Sequence, residues 1–111
     1  MKHANTLHLV LKGKWYDMIA SGEKTEEYRE TKQYWIKRIL GVSTPSLPVL
    51  TLIARQISKQ TRNVWVCFHR GYTNRTMTFE IKDVSVGIGK AKWGAPIDKE
   101  VIIIKLGCRI A

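Results

Sequence analysis

The chain is poor in several things that would assign it quickly. It has two cysteines in 111 residues, Cys67 and Cys108, without a C-x-x-C spacing. That excludes a disulfide framework and reads as a pair of reduced thiols in a cytoplasmic protein. Its three histidines, His3, His8 and His69, are scattered along the sequence, which argues against a structural zinc site. No apolar run approaches the roughly 20 residues of a membrane span, and runs such as Val101 to Ile104 are strand-sized. The opening Met1-Lys2-His3-Ala4-Asn5 lacks the apolar region of a signal peptide. There is no G-x-S-x-G or H-E-x-x-H, and Gly87-Ile88-Gly89-Lys90 lacks the G-K-[ST] ending of a phosphate loop. No cofactor is implied.

Acid is the other scarcity. Against 19 Lys and Arg there are only 9 Asp and Glu, a net charge of +10. Five of those nine acids lie between Asp17 and Glu30, and none falls from Thr31 to Phe79. That acid-free stretch carries Lys32, Lys37, Arg38, Arg55, Lys59, Arg62, Arg70 and Arg75. A segregated positive field attracts polyanions and releases their counterions on binding. RNA or a nucleotide-like ligand is therefore the expected partner. The competing explanation is a protein-interaction domain whose basic charge serves solubility. A membrane surface is not expected, because no segment joins a basic face to a long apolar one.

At 44% hydrophobic and 25% charged residues, the composition is that of one ordinary globular domain, able to bury a core without disulfides or metal. Leu7 to Leu11 reads as a strand, apolar enough to be central in a sheet. Trp15, Met18 and Ile19 form the i, i+3, i+4 stripe of a short helix, which Gly22 is suited to end. Thr25 to Arg29 reads as a strand. Thr31 is placed to cap a second helix whose apolar face is Trp35, Ile36, Ile39 and Leu40. Residues 41–63, with Pro45 and Pro48, read as an insertion or flap, with helical spacing through Val49, Leu52, Ile53 and Ile57. The last third alternates as strands: Val64 to His69, then Thr76 to Val86 with Met77, Phe79 and Ile81 on one face, then the closing Val101 to Leu106. The reading is an α+β fold of about five strands with two or three short flanking helices, the content a small β-barrel requires.

One string gathers opposite charges. Residues 22–29 read Gly-Glu-Lys-Thr-Glu-Glu-Tyr-Arg, a G-x-K-x-x-E-x-R pattern of Gly22, Lys24, Glu27 and Arg29. Glu27 and Arg29 are two apart on a strand and share a face. Lys24, at the strand's start, has the reach to join them in a cleft. Glu27 is then expected within ion-pair distance of Lys24 or Arg29 in a partly exposed group, and its loss should alter ligand binding more than stability. The competing explanation is a solvated surface pair, worth under about 1 kcal/mol. Two aromatics extend the list of binding candidates. Trp93, beside Gly94 and Pro96, reads as a loop residue able to stack on a base. Tyr72 follows Arg70 and Gly71 at a loop tip, placed either to stack beside a cation or to pack onto the barrel. Trp15 and Trp35 read as core.

The G-x-K-x-x-E-x-R string, preceded by the strand Leu7 to Leu11 and the helix Lys14 to Ser21, resembles the signature of the ASCH domain, a small branch of the PUA-like folds. Phe68-His69-Arg70-Gly71-Tyr72, Lys92-Trp93-Gly94-Ala95-Pro96 and Ile102 to Gly107 extend the resemblance over most of the chain except 41–63. The resemblance implies a single PUA-like mixed β-barrel over residues 1–111. It also implies an RNA- or nucleotide-binding module with a polar cleft at the motif, Gly22 being its structural residue. One branch of the family hydrolyses the amide of acetylated cytidine, with a threonine three residues after the lysine. Here that position holds Glu27, and the threonine, Thr25, falls one residue after Lys24. Another branch is linked to RNA cleavage, for which Lys24 and Glu27 are the catalytic candidates, with Glu27 as the base. The alternative to a binding module is thus a small hydrolase acting on RNA or a modified nucleoside.

Overall fold

The computed structural model describes residues 6–40 and 64–111. In these, two α-helices accompany a five-stranded mixed sheet that curls into a half-barrel. The elements run β1 (Thr6–Leu11), α1 (Gly13–Ala20), β2 (Glu26–Glu30), α2 (Gln33–Leu40), β3 (Trp65–Arg70), β4 (Thr76–Ile88), a 3-10 turn (Ala91–Trp93) and β5 (Glu100–Arg109). The expectations for residues 41–63 lie outside the described residues.

The sheet order is β1-β3-β4-β5-β2, with β1 parallel to β3 and the other neighbours antiparallel. This order corrects one expectation. Leu7 to Leu11 is an edge strand rather than a central one: Leu7, Leu9 and Leu11 are buried, while His8 and Val10 are exposed. Three strands, β3, β4 and β5, are interior; β5 lies between β4 and β2, and its run Val101 to Ile104 is buried throughout. The two edges, β1 and β2, face the open side of the half-barrel.

Helix α1 follows β1 directly and buries Tyr16 and Ile19. Gly22 stands just beyond its end with φ +86°, the left-handed conformation that a Cβ disfavours. Ile36 and Ile39 of α2 join Leu9, Phe68, Met77, Val84, Ile102 and Ile104 in the main core. The first helical bond of α2 is Ile36 N–H to Lys32 O, so the helix begins later than a cap at Thr31 requires. In β4 the alternation changes phase. Met77 and Phe79 are buried as read, but register shifts on either side of Ile81 hand the inward positions to Val84 and Val86. Two irregularities in the ladder bend this 13-residue strand and help curl the sheet.

Candidate functional site

Between the edge strands lies a cleft of about 290 Å³, lined by Val10, Leu11 and Lys12 from the end of β1, Trp15 from α1, Glu27, Tyr28 and Arg29 from β2, and Trp93 and Gly94 from the 3-10 turn. Among the described residues, the gap between β1 and β2 thus forms a concavity lined by Glu27 and Arg29 of the charged string.

At the cleft wall and behind it the charges form a chain of ion pairs. Lys24 is fully buried; its Nζ donates to Glu27 Oε1 at 2.8 Å and to the carbonyl of Glu26 at 2.7 Å. The second oxygen of Glu27 forms an ion pair with Arg29 Nη1 at 3.0 Å. The carboxylate is therefore held between two cations, one sealed in the protein and one at the cleft. Aromatic rings enclose the cations: Lys24 Nζ lies 4.9 Å from the Tyr28 ring centre, and the Arg29 guanidinium 4.9 Å from that of Trp35. Arg29 also reaches the Val10 carbonyl at 3.4 Å, across the gap between the edge strands.

Lys24, Glu27 and Arg29 are brought together, as their spacing indicates, but they divide the roles differently. The side chain of Lys24 has no solvent exposure and does not line the cleft; it neutralises and orients Glu27 from behind. Arg29, with 18% of its side chain exposed, presents the cation that a ligand can meet. This burial also revises the expectation of a partly exposed group: loss of Glu27 would leave Lys24 without its counter-charge in the interior, a cost in stability as well as in binding.

The aromatic assignments shift too. Trp93 is not a free loop platform; it is 6% exposed and forms a wall of the cleft. Gly94, at φ +100°, lets the chain turn there, and a Cβ on it would come within 3.0 Å of the Trp15 ring. Trp15, read as core, is half-buried against the main core while lining the cleft. The spacing of the charged string does not single out Tyr28. Its hydroxyl donates to Glu26 at 2.8 Å and accepts from the Lys90 amide at 3.1 Å, and burial pushes its pKa up to about 12. Exposed lysines border the tryptophans: Lys14 lies 4.6 Å from the Trp15 ring centre, and Lys90 4.3 Å from that of Trp93. Among the described residues, Arg29 Nε and Trp93 Nε1 are buried donors with no hydrogen-bond partner. Both belong to residues that line the cleft.

Arg70 and Tyr72 stand apart. Arg70 makes a two-pronged pair with Asp17, at 3.1 and 2.9 Å, which holds the Asp17 carboxyl below its ordinary range. Tyr72 is 98% exposed at the tip of the β3–β4 turn, so it does not pack onto the sheet. That turn is tied by the Gly71 amide to the carbonyl of Leu11, next to Lys12 of the cleft wall. The histidines depart furthest from expectation. His8 and His69 are not scattered in space; their ring nitrogens meet at 3.0 Å, with Cys67 beside them. No helix among the described residues is long and apolar enough to cross a membrane. No protein-family model, curated protein or solved structure matches the chain significantly.

Proposed function

We propose that the chain is an RNA-binding module of the ASCH type, with a PUA-like fold, whose cleft receives one base of a single-stranded segment or of a nucleotide-like ligand. The observation that carries this reading is the pair of unpartnered donors, Arg29 Nε and Trp93 Nε1, on residues that line a cleft of about 290 Å³. A buried donor without an acceptor costs about 1–3 kcal/mol, so a ligand bearing carbonyl or phosphate oxygens repays that cost if the cleft walls shift enough on binding to expose these atoms, which are closed to solvent here. The volume sits at the small end of ligand pockets, about 300–1,000 Å³, and suits a single nucleobase rather than a duplex. Trp15, Tyr28 and Trp93 supply ring surface for stacking, worth about 1–3 kcal/mol per base. The lysine fringe of Lys12, Lys14, Lys90 and Lys92 favours the attached phosphates, and Tyr72 offers an exposed ring outside the cleft. The free thiols Cys67 and Cys108 fit a cytoplasmic setting.

The burial of Lys24 supports binding over hydrolysis. A hydrolase working through Lys24 and Glu27 needs the lysine at the reacting atoms, whereas here it lies behind the carboxylate, and both oxygens of Glu27 are already engaged by cations. Calorimetric titration of short single-stranded RNAs and nucleoside monophosphates, at about 50 mM salt, tests the reading. Arg29→Gln should weaken binding by about 10- to 100-fold, because a hydrogen bond from a charged group is worth about 1.5–3 kcal/mol. Absence of affinity for every nucleotide and RNA would favour the protein-interaction alternative.

A further inference from the structure

The face of β1 and β3 that carries His8 and Cys67 holds a second concentration of chemistry. His8 and Cys67 are register partners on these adjacent parallel strands, and His69 follows Cys67 by two, so all three side chains leave the same face. The main core is formed from the other face, by Leu7, Leu9, Val66 and Phe68. His8 Nδ1 lies 3.0 Å from His69 Nε2, and Cys67 Sγ lies 3.8 Å from the same nitrogen. The three donor atoms are all within 4.8 Å of one another.

We propose that His8, Cys67 and His69 form a binding site for a borderline-soft divalent metal ion, zinc above all, separate from the cleft at β2. Tetrahedral zinc, with bonds of about 2.0–2.1 Å to nitrogen and about 2.3 Å to sulfur, sets its nitrogens about 3.3 Å apart and nitrogen from sulfur about 3.6 Å. The two separations to His69 Nε2, 3.0 and 3.8 Å, lie close to these values, and the third, within 4.8 Å, closes if the exposed His8 ring moves toward Cys67. Two imidazoles and a thiolate select zinc, copper or cobalt over calcium and magnesium, which take oxygen ligands. The Cys67 S–H gives its proton to solvent as the sulfur–metal bond forms, and both imidazoles bind as neutral rings.

The surroundings fit such an ion. Cys67 is 8% exposed, while His8 is open to solvent, so the ion approaches from the His8 side and meets a sheltered sulfur. A cavity of about 510 Å³, lined by residues including Trp65, Thr78 and Ile110, adjoins His8 and Cys67. Three protein ligands beside open space leave a fourth position for water or an exogenous ligand. A chain of net charge +10 does not gather cations by its overall field, so a retained metal is held by coordination. Bound there, the ion would fasten the edge strand β1 to β3 through side chains 61 residues apart in sequence.

Cobalt(II) titration of the untagged full-length chain, followed by absorbance, tests the site. The expected result is saturation at one ion per chain, with the intense visible bands of a four-coordinate ion and a thiolate-to-cobalt charge-transfer band. Cys67→Ser should abolish that band, and Cys108→Ser should leave it. Because Cys67 is buried and its replacement can perturb folding, His8→Ala, at an exposed position, gives the second reading. It should keep the circular dichroism spectrum and weaken cobalt binding at least about tenfold, since losing even an outer partner of a metal ligand costs about 10–100-fold. Competing zinc should bleach the cobalt bands and raise the thermal midpoint of the wild type but not of His8→Ala. The proposal is overturned if no charge-transfer band develops at saturating cobalt, or if the band and its affinity survive His8→Ala.

Discussion

Replacing Lys24 with methionine probes the architecture of the cleft at its root. Methionine keeps most of the stem volume and removes the ammonium, so packing changes little while Glu27 loses one of its two cations and the Glu26 carbonyl loses its donor. Breaking a buried ion pair by removing one partner costs about 3–5 kcal/mol. Glu27 keeps Arg29 at 3.0 Å, and its side chain is 7% exposed, which places the expected cost at the lower end, about 3 kcal/mol. That is a large share of the roughly 5–15 kcal/mol that holds a typical domain folded. Urea unfolding followed by tryptophan fluorescence measures the difference through the transition midpoint. Repeating the substitution in a Glu27→Gln background should reveal a coupling of about 0.5–3 kcal/mol, because the two side chains touch. Added salt should change the difference between the wild-type and Lys24→Met midpoints little, since a buried pair is poorly screened. A cost below about 1 kcal/mol with additive double-mutant energies, the behaviour of a surface pair, would refute this account of Lys24.

Three other outcomes follow from the same geometry. Glu27→Gln should produce only a modest change in ligand affinity, and the wild type should turn over neither acetylated cytidine nor labelled RNA; turnover that falls on the order of 100-fold in Glu27→Gln would establish a hydrolase instead. Tyr28 titrates near pH 10.0 when unfolded and at about 12 when folded, so the unfolded state loses its proton first and stability should fall as pH rises through that window. Unfolding midpoints of the wild type against Tyr28→Phe check this, the phenylalanine variant lacking that part of the alkaline decline. If RNA crosses the β3–β4 turn, the Arg70→Ala/Arg75→Ala pair should reduce the slope of log affinity against log salt by about 1.4–1.8, and an unchanged slope would place the RNA elsewhere.

The sequence reveals most where the relevant neighbours are local. Lys24, Glu27 and Arg29 stand within six residues, so their spacing alone brings them together, and Gly22 declares its left-handed turn by its identity. What escapes is burial. A sheet interior and a solvent face can carry the same string, and nothing within residues 22–29 says that the segment is covered on both sides. The cover comes from Trp15, Met18, Trp93 and β5, which are distant in sequence or on other elements. Trp15 belongs to an i, i+3, i+4 stripe that serves a core and a cleft wall equally well, and so it reads as core. The edge position of β1 follows from strand order, which no local pattern encodes. The phase change in β4 arises from irregular pairing rather than from alternation. The convergence of His8 with Cys67 and His69 requires the parallel pairing of β1 with β3, which brings together His8 and His69 from 61 residues apart, invisible to any motif with short spacing.

The central claim is that a ligand enters the cleft and engages its unpartnered donors, and the indole N–H signal of Trp93 tests it most directly. Each of the four tryptophans contributes one such signal to a ¹H–¹⁵N spectrum, assignable by single Trp→Phe variants. On titration with nucleoside monophosphates or a short single-stranded RNA, the Trp93 signal should move downfield and saturate as Nε1–H gains an acceptor, accompanied by the Arg29 Nε–H signal. Saturable RNA binding that shifts surface amides but leaves Trp93 and Arg29 in place would contradict the account.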